Sequence, residues 1–449
     1  MDANELRERF DAHGIRRVKV GGFDVDGVLR GKYLALDKFW SVLTGGFGFC
    51  DVIFGWDIGD VCYDNTTLTG PSSGYPDIQA KIDPDTFRIL PYESDTAGFL
   101  LDFYGTDRKP HPACPRNLLK RVVARAEASG YIPRFGAEFE FWVFQETPAT
   151  LRSKGFRDLT PLSPGMFGYS WLRTSQHQGF VRDLLECAER FDIPIEGFHT
   201  ETGPGVYEAA LKNGPALVAA DRAALFKTLA KEVASRHGLS LTFMAKWASD
   251  LPGSSGHLHQ SLWDSLGEKN LFATEKGEHG LSSLGRSYLA GLVGTLDQLT
   301  AIYSPTINSY KRYVPGVWAP LTKSWGIENR TTAVRAITGG GSTRFELRQT
   351  AADINPYLAM AASLGAGLFG IEQAMDLPPP VQGDASNGSE QPLPMSLAAA
   401  VSCMQSSDCA RSILGEGFVD HYLRTRSWEL RQYERAVTSW ELARYFESV

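Results

Sequence analysis

The stretch GAEFEFWVF, residues 136–144, is rich in aromatic side chains and predicts a β-strand. Side chains alternate across a strand, so Glu138 and Glu140 share one face and the phenylalanines share the other. The apolar face explains why such a strand is buried. Two carboxylates on a buried strand are costly unless cations offset their charge, so this face predicts a charged site. The alternative is an edge strand with one face in water.

The composition is typical of a soluble globular protein, with 43% hydrophobic and 22% charged residues in a chain of 449. This length is enough for a large core and two domains. The formal net charge is −7 and the sequence has no long basic run. We therefore expect neither a nucleic acid nor an anionic membrane surface as a partner.

The first residues, MDANELRERFDAHG, lack the apolar segment of a signal peptide. No apolar run approaches the roughly 20 residues that a membrane span needs. The six cysteines are scattered and include no C-x-x-C pair, so we expect reduced thiols and a cytoplasmic location. They are Cys50, Cys62, Cys114, Cys187, Cys403 and Cys409.

We predict two domains, residues 1–107 and 108–449, joined through segment 105–115, which contains three prolines. The first is predicted to be α+β and dominated by strands, with a short helix at 4–13. Its strands are predicted at 17–24, 28–36, 86–92 and 96–104. Asp26 and Gly27 separate the first two strands and indicate a hairpin.

Helical and strand periodicities continue through the second domain. Helices are predicted at 116–129, 179–191, 221–237, 281–303, 351–376 and within 396–448. Asp221 is predicted to cap the third of these helices at its N-terminus. Further strands are predicted at 239–245, 256–263, 331–337 and 344–349, and residues 378–394 read as a loop.

Two further stretches place acidic and histidine side chains in strand-like alternation. In the first, a Gly-Pro-Gly bend separates Glu201 from Glu208 and can bring both carboxylates to one point. The alternative for this stretch is a polar loop. In the second, His257, His259 and Ser261 share one face of a strand. That face can bind a metal ion or form ordinary hydrogen bonds.

A cluster of arginines follows. Arg344, Glu346 and Arg348 share one face of a predicted strand. Such alternation is found in salt-bridge ladders on wet surfaces, which stabilise a protein little. Grouped guanidinium groups also suit bidentate binding of phosphates and carboxylates. The other arginines of the cluster are Arg312, Arg330 and Arg335.

Together these side chains predict a chemistry. Glutamate oxygens with one or two histidines suit Mg²⁺ or Mn²⁺ and do not suit a cysteine-rich zinc site. Divalent ions beside arginines are the parts of a phosphoryl-transfer site. The sequence has no G-x-x-x-x-G-K-[ST] and no kinase signature, so it supports neither a P-loop enzyme nor a protein kinase.

In this order the motifs resemble the glutamine synthetase family, in its bacterial class. The resemblance rests on E-x-E, H-x-E…E, G-S-x-G-H-x-H-x-S-L, N-S-Y-K-R-x-V-P-G, N-R-x-x-x-R and R-x-E-x-R. It implies a small N-terminal β-grasp domain and a catalytic domain with a curved antiparallel sheet and flanking helices. It also implies a homo-oligomer, a dodecamer of two hexameric rings, with active sites between neighbouring subunits.

The resemblance implies that ATP phosphorylates the γ-carboxylate of L-glutamate and that an amine then displaces phosphate. One Mg²⁺ or Mn²⁺ site would be formed by Glu140, Glu201 and Glu208, and the other by Glu138, His257 and Glu346. L-Glutamate would be held by Gly253, Arg312 and Arg348. The phosphates and the transferring phosphoryl group would be bound by Arg330, Arg335 and Arg344, and the nucleotide by Glu196, His259 and Ser261. Arg312 and Arg330 would be catalytic.

The resemblance weakens at the amine site. Family members that use ammonia carry a glutamate in the motif P-G-Y-E-A-P, whereas residues 315–320 read PGVWAP and place Trp318 there. The family's amine-site aspartate is not clearly matched, and Asp51 and Asp57 are both candidates for this catalytic role. We therefore expect an alkyl or aromatic primary amine as the substrate. The alternatives are a glutamine synthetase that uses ammonia, an inactive structural homologue, and a Trp318 that only packs its loop.

Overall fold

Two β-sheets organise the fold, and the computed structural model describes residues 1–316 and 318–449. The strands are β1 (Arg17–Phe23), β2 (Leu29–Leu34), β3 (Phe47–Cys50), β4 (Asp77–Leu90), β5 (Glu93–Tyr104), β6 (Ile132–Phe144), β7 (Ile195–Thr200), β8 (Val206–Leu211), β9 (Gly214–Pro215), β10 (Ser240–Thr242), β11 (Leu258–Trp263), β12 (Trp325–Ile327), β13 (Val334–Ile337) and β14 (Arg344–Leu347). The helices are α1 (Ala3–His13), α2 (Leu36–Val42), α3 (Pro115–Ala128), α4 (Pro148–Ser153), α5 (Trp171–Gln176), α6 (Gln178–Arg190), α7 (Ala216–Arg236), α8 (Ser283–Tyr303), α9 (Pro356–Glu372), α10 (Leu397–Gln405), α11 (Asp408–Leu414), α12 (Glu416–Arg435) and α13 (Ser439–Tyr445).

The first sheet has the strand order β2-β1-β5-β4-β3 and contains a parallel pair, β1 with β5. Antiparallel pairing of β1 with β2 confirms the hairpin, at which Gly27 adopts a left-handed φ of 79°. β4 begins at Asp77, earlier than predicted, because Ile78, Ala80 and Ile82 alternate into the core. Together with α1 and α2, the sheet forms the small α+β unit expected at the N-terminus.

The second sheet has nine strands in the order β12-β13-β14-β11-β6-β8-β7, with β9 and β10 also paired to β6. The pairs in the described part of this sheet are antiparallel except β12 with β13. β6 contains GAEFEFWVF and lies between β11 and β8. Because both of its edges are paired, the edge-strand alternative is wrong.

The apolar face of β6 is covered by helices. α3 and α7 pack on it, and α9 packs behind them. Phe139 and Phe141 are fully buried, and their ring centroids lie 6.4 and 6.0 Å from that of Phe226 on α7. α8 and α9 approach closely at Gly291, where a Cβ atom would lie 2.7 Å from the Cα of Gly370. One apolar core connects both sheets, and a domain boundary after residue 107 remains a prediction.

The prediction that Asp221 caps a helix is wrong. α7 begins at Ala216, and Asp221 lies inside it, 4% exposed. Its carboxylate accepts hydrogen bonds from Arg116 Nε at 2.8 Å and from the Tyr357 hydroxyl at 2.7 Å. The aspartate therefore neutralises a buried arginine on α3, a role that only the packing of distant segments creates. The predicted helix from residue 351 also begins later, at Pro356.

Within the described residues, every helix is too short or too polar to cross a lipid bilayer. All six cysteines are free thiols, as the sequence predicted. A cytoplasmic location remains a prediction.

Candidate active site

The polar face of β6 opens into a cleft of about 700 Å³. Side chains from β6, β8 and β14, and from the segments that precede β8 and β11, line this cleft. Residues that are far apart in the sequence are therefore close in space. The cleft includes the six residues predicted as metal ligands: Glu138, Glu140, Glu201, Glu208, His257 and Glu346.

One group of these carboxylates is aligned by strand register. Glu140 on β6 lies opposite Glu208 on β8, and Glu208 lies opposite His199 on β7. His199 Nε2 is 3.2 Å from Glu208 Oε1, and His199, Glu201 and Glu208 have ligand atoms within 4.8 Å of one another. Burial and the Glu208 carboxylate raise the pKa of Glu140 to about 8, although the Ser255 N–H donates to Glu140 at 2.8 Å. Sequence reasoning did not assign His199 to the site, but its H-x-E spacing was a usable signal.

A second group lies around Glu138 and Glu346. His257 Nδ1 is 3.6 Å from Glu138 and 3.5 Å from Glu346, and His259 Nε2 is 2.9 Å from Glu138. Burial opposes ionisation of Glu138, yet the two neighbouring histidines hold its pKa below the usual range. Burial also opposes ionisation of Glu346, but Arg348 and the histidines lower its pKa to about 2. Both carboxylates are therefore anionic at neutral pH.

The donor atoms in both groups fit divalent cations. His257 Nε2 is buried and finds no hydrogen-bond partner in the part of the chain that the structure describes. His257 Nδ1 lies beside two carboxylates while its Nε2 is unpaired among the described residues, so the imidazole has a nitrogen free to bind a metal ion. The first group combines three glutamates, and their repulsion is relieved by a cation. Oxygen-rich donor sets of this kind suit Mg²⁺ or Mn²⁺.

Three arginines border the second group. Arg335 Nη1 donates to Glu346 at 3.1 Å, and Arg348 Nη1 forms an ion pair with the same carboxylate. Arg348 Nε donates to the backbone carbonyl of Arg330 at 3.0 Å, and the Arg330 side chain also lines the cleft. Guanidinium groups therefore lie next to the predicted metal ligands, as binding of phosphate or carboxylate oxygens requires.

A family model of the glutamine synthetase catalytic domain matches residues 112–445. The chain belongs to the glutamine synthetase family. It is 48% identical over 437 residues to the type-1 glutamine synthetase 2 of Dictyostelium discoideum, covering 96% of this chain and 84% of that protein. It is 38% identical to the glutamate–isopropylamine ligase of a Pseudomonas species, covering 99% and 98%. The solved structure of GmaS with ADP matches with a TM-score of 0.86 and 29% identity, covering 98% and 99%.

This glutamine synthetase family member is therefore an ATP-dependent ligase that forms a carbon–nitrogen bond between glutamate and ammonia or an amine. The family uses ATP with a divalent metal ion. Two groups of side chains, each with ligand atoms within 4.8 Å of one another, fit that requirement: His199, Glu201 and Glu208, and Glu138, His259 and Glu346. The resemblance found in the sequence is thus confirmed for the family and for the fold.

A second cavity, of about 330 Å³, adjoins the first, and Glu138 lines both. It contains four of the residues that the sequence predicted for the nucleotide and its phosphates, namely Glu196, His259, Ser261 and Arg344. Arg344 Nε donates a hydrogen bond to His259 Nδ1 at 3.3 Å, so the Arg344 and His259 side chains contact each other. The other two, Arg330 and Arg335, line the main cleft.

Of the residues predicted to hold L-glutamate, two line the cleft and one is buried. Gly253 and Arg348 line the cleft. Arg312 is 1% exposed and is not among the described residues of the cleft wall. Its guanidinium donates to the Gln349 carbonyl at 2.7 Å and to Ser255 Oγ at 2.9 Å. A Cβ atom at Gly253 would lie 2.5 Å from Arg312 Cβ, so glycine is needed for this close approach.

Two aromatic side chains lie in the mouth of the cleft. Trp318 lines it, is 65% exposed and adopts a left-handed φ of 62°. Most of Trp318 faces solvent, which favours contact with a ligand over packing within its loop, and its role remains a prediction. Tyr169, which sequence reasoning missed, stacks on His199 with ring centroids 4.3 Å apart. It follows no recognisable motif, and only the packing of its loop on β7 reveals it.

Asp51 and Asp57 are not among the described residues that line the cleft of their own subunit. Asp57 accepts hydrogen bonds from the backbone N–H groups of Gly59 and Val61 at 2.8 and 2.9 Å, and from Trp428 Nε1 at 3.1 Å. Asp57 therefore supports its own loop. Asp51 is 3% exposed, and its Oδ1 has no hydrogen-bond partner within the described chain.

Proposed function

We propose that this enzyme joins the γ-carboxyl group of L-glutamate to an organic primary amine and uses ammonia poorly. The observation that carries the proposal is the exposed indole of Trp318 in the cleft. Ammonia-using members of the family carry a glutamate at this position. An ammonium ion is small and strongly hydrated, so its site needs anionic groups, whereas an indole contacts hydrocarbon and can lie against an ammonium head.

In the first half-reaction, the γ-phosphoryl group of ATP passes to the γ-carboxylate of glutamate, releasing ADP and leaving γ-glutamyl phosphate. We assign Glu140, Glu201 and Glu208, with His199 as an additional ligand, to one cation. We assign Glu138, His257 and Glu346 to another. Bound Mg²⁺ or Mn²⁺ would neutralise the phosphate oxygens. Arg330, Arg335 and Arg344 would stabilise the charge that spreads over the transferring group, and Arg348 would bind a glutamate carboxylate.

In the second half-reaction, the amine nitrogen attacks the acyl carbon, phosphate leaves and the nitrogen loses a proton. Trp318 would orient the amine by contact with its substituent. The proton acceptor would be the carboxylate of Asp51 from a neighbouring subunit in a ring, because the Asp57 oxygens already accept three hydrogen bonds. This assignment depends on the dodecameric assembly, which remains a proposal.

Two relatives support different substrates. The Pseudomonas protein, similar over almost the whole length of both chains, is named for isopropylamine, an organic amine. The Dictyostelium protein is more similar in sequence and is named a glutamine synthetase. The ammonia reaction is therefore the second candidate function for this chain. An inactive structural homologue is disfavoured, because it would not need six convergent metal ligands.

The test is ADP release by the purified protein with ATP, Mg²⁺ and L-glutamate against a panel of amines that includes ammonia, with products identified by mass spectrometry. We expect a γ-glutamyl amide to form with a higher kcat/KM than glutamine. If glutamine forms faster than every amide in the panel, the protein is a glutamine synthetase and this proposal is wrong.

A further inference from the structure

A third cavity, of about 650 Å³, lies beside the cleft and shares two residues with it, Trp318 and Arg330. Trp318 therefore separates two open spaces. One holds the predicted metal ligands, and the other is formed by the end of β12, the turn that follows it and segment 380–383. An amine whose nitrogen enters the cleft beside Trp318 has this cavity available for the rest of the molecule.

The far wall of this cavity is fixed by hydrogen bonds. Asn329 Nδ2 donates to the Gly383 carbonyl at 2.8 Å, and the Ala385 N–H donates to Thr331 Oγ1 at 2.9 Å. The Val381 N–H donates to the Trp325 carbonyl at 2.8 Å. Segment 380–385 is thus tied to the sheet through groups that remain paired, which makes the cavity a preformed site.

The lining is partly apolar and partly polar. Ile327, Pro380 and Val381 supply hydrocarbon, and the exposed amide of Gln382 supplies a donor and an acceptor. Glu328 Oε2 accepts a hydrogen bond from Arg335 Nε at 3.1 Å, whereas no described residue donates a hydrogen bond to Glu328 Oε1. A ligand with a short carbon chain and a terminal hydrogen-bonding group matches this lining.

The charges decide which terminal group fits. Arg330 lies where the two cavities meet, and Arg335 already neutralises Glu328. A second ammonium group on the ligand would therefore lie near Arg330, and the Glu328 carboxylate, whose charge Arg335 already offsets, would attract it only weakly. A hydroxyl group carries no charge, can donate to Glu328 Oε1 or to Gln382, and leaves the chain on the apolar residues.

We infer that the cavity behind Trp318 binds the substituent of the amine and selects a short-chain amino alcohol over an alkylamine or a diamine of equal length. The inference rests on the proposed function, because it names the substrate class for the same reaction. It also makes segment 380–383 a determinant of specificity, although that segment lies far in sequence from the motifs of the site.

The experiment compares butylamine, 3-aminopropan-1-ol and 1,3-diaminopropane, which have equal heavy-atom counts, with methylamine, which is too short to enter the cavity. We expect kcat/KM for the amino alcohol to exceed those for the other two by at least about fivefold. An equal or higher value for butylamine or the diamine overturns the selection of a hydroxyl group. If no amine gives an amide and only glutamine forms, the proposed function itself fails instead.

Two variants locate the selection in the cavity. Val381→Phe fills the space but keeps the backbone hydrogen bond, and it should lower the ratio of kcat/KM for 3-aminopropan-1-ol to that for methylamine at least about tenfold. Gln382→Leu removes a polar group from an exposed position. It should make kcat/KM for butylamine equal to that for 3-aminopropan-1-ol. Leu266→Phe, at a 75% exposed position outside all three cavities, is the matched control and should change neither ratio.

Thermal unfolding of each variant shows whether it is folded, and only a variant with the melting temperature of the parent is scored. If Val381→Phe and Gln382→Leu are both folded and active but keep the parent ratios, the substituent binds elsewhere and the inference is overturned.

Discussion

Glu140 on β6 lies directly opposite Glu208 on β8, and burial together with that neighbour raises the pKa of Glu140 to about 8. The arrangement is unfavourable for two anions and favourable for a cation between them. We therefore expect Mg²⁺ or Mn²⁺ to raise the melting temperature of the protein and EDTA to reverse the effect. A melting temperature that does not respond to either ion would contradict a metal site here.

The isosteric change Glu140→Gln separates the metal site from the fold. It removes the repulsion, so we expect the metal-free variant to melt no lower than the parent and to respond less to Mg²⁺. ADP formation should fall at least about a hundredfold, or about 2.7 kcal/mol of transition-state free energy. Glu5→Gln, which changes a surface carboxylate paired with Arg9, is the control. Full activity in Glu140→Gln would remove this residue from the site.

Arg348 tests the role of the guanidinium shape. Its Nη1 pairs with Glu346 and its Nε donates to the Arg330 carbonyl, so lysine keeps the charge but cannot make both contacts. We expect Arg348→Lys to lower activity at least about tenfold, or about 1.4 kcal/mol, mainly through a higher KM for L-glutamate. Arg17→Lys, at a surface ion pair with Asp95, should have no effect. An unchanged dependence on glutamate would rule out direct contact.

Trp318 tests the choice of amine. Trp318→Glu adds a carboxylate and removes an apolar surface, so we expect the ratio of kcat/KM for the preferred amine to that for ammonia to fall at least about tenfold. Trp440→Glu changes another exposed tryptophan, 62% accessible and outside the cleft, and should leave the ratio unchanged. A ratio that stays constant in Trp318→Glu would show that the indole does not contact the amine.

Assembly can be tested by complementation between inactive subunits. If Asp51 of one subunit completes the site of the next, Asp51→Ala and Glu346→Ala subunits should regain partial activity when they are denatured and refolded together, since mixed rings contain intact sites. Each variant refolded alone should remain inactive. Sedimentation should give a ring-sized species, and a monomer with full activity would refute the assembly.

Two buried histidines predict a loss of stability in acid. Burial lowers the pKa of His111 from 6.5 to about 4 and that of His421 from 6.5 to about 3. As the pH falls below 6.5, the unfolded chain binds protons that the folded chain does not, so stability is present above this pH and is lost below it. Between pH 7.5 and 5 the loss is about 2 kcal/mol for each histidine.

The variant His421→Leu tests the predicted loss of stability at low pH. The His421 ring nitrogens have no hydrogen-bond partner in the described part of the chain, so an aliphatic side chain can replace them. We expect the melting temperature of the variant to fall less between pH 7.5 and 5 than that of the parent. His13→Leu, on the exposed surface of α1, should behave like the parent. Parallel curves for all three proteins would show that His421 is not the titrating group.

Much of the fold follows from local patterns. Alternation in GAEFEFWVF predicted a buried strand with two carboxylates on one face, and the hairpin at Asp26 and Gly27 follows from turn chemistry. Asp221 shows the limit of this reasoning. In sequence, it resembles a helix cap, but Arg116 and Tyr357 reach it only after α3, α7 and α9 pack together. Rules based on neighbouring residues in the sequence cannot predict these partners.

The sequence by itself determined the types of residue, the faces they share and the order of the motifs, and these are sufficient for the family and for the predicted ligands. Only the tertiary structure decided the register that places His199 opposite Glu208, the burial of Arg312 and the exposure of Trp318. The reason is physical. Side-chain periodicity fixes the face on which a residue lies, whereas its neighbours depend on pairing and packing between segments that are far apart in the chain.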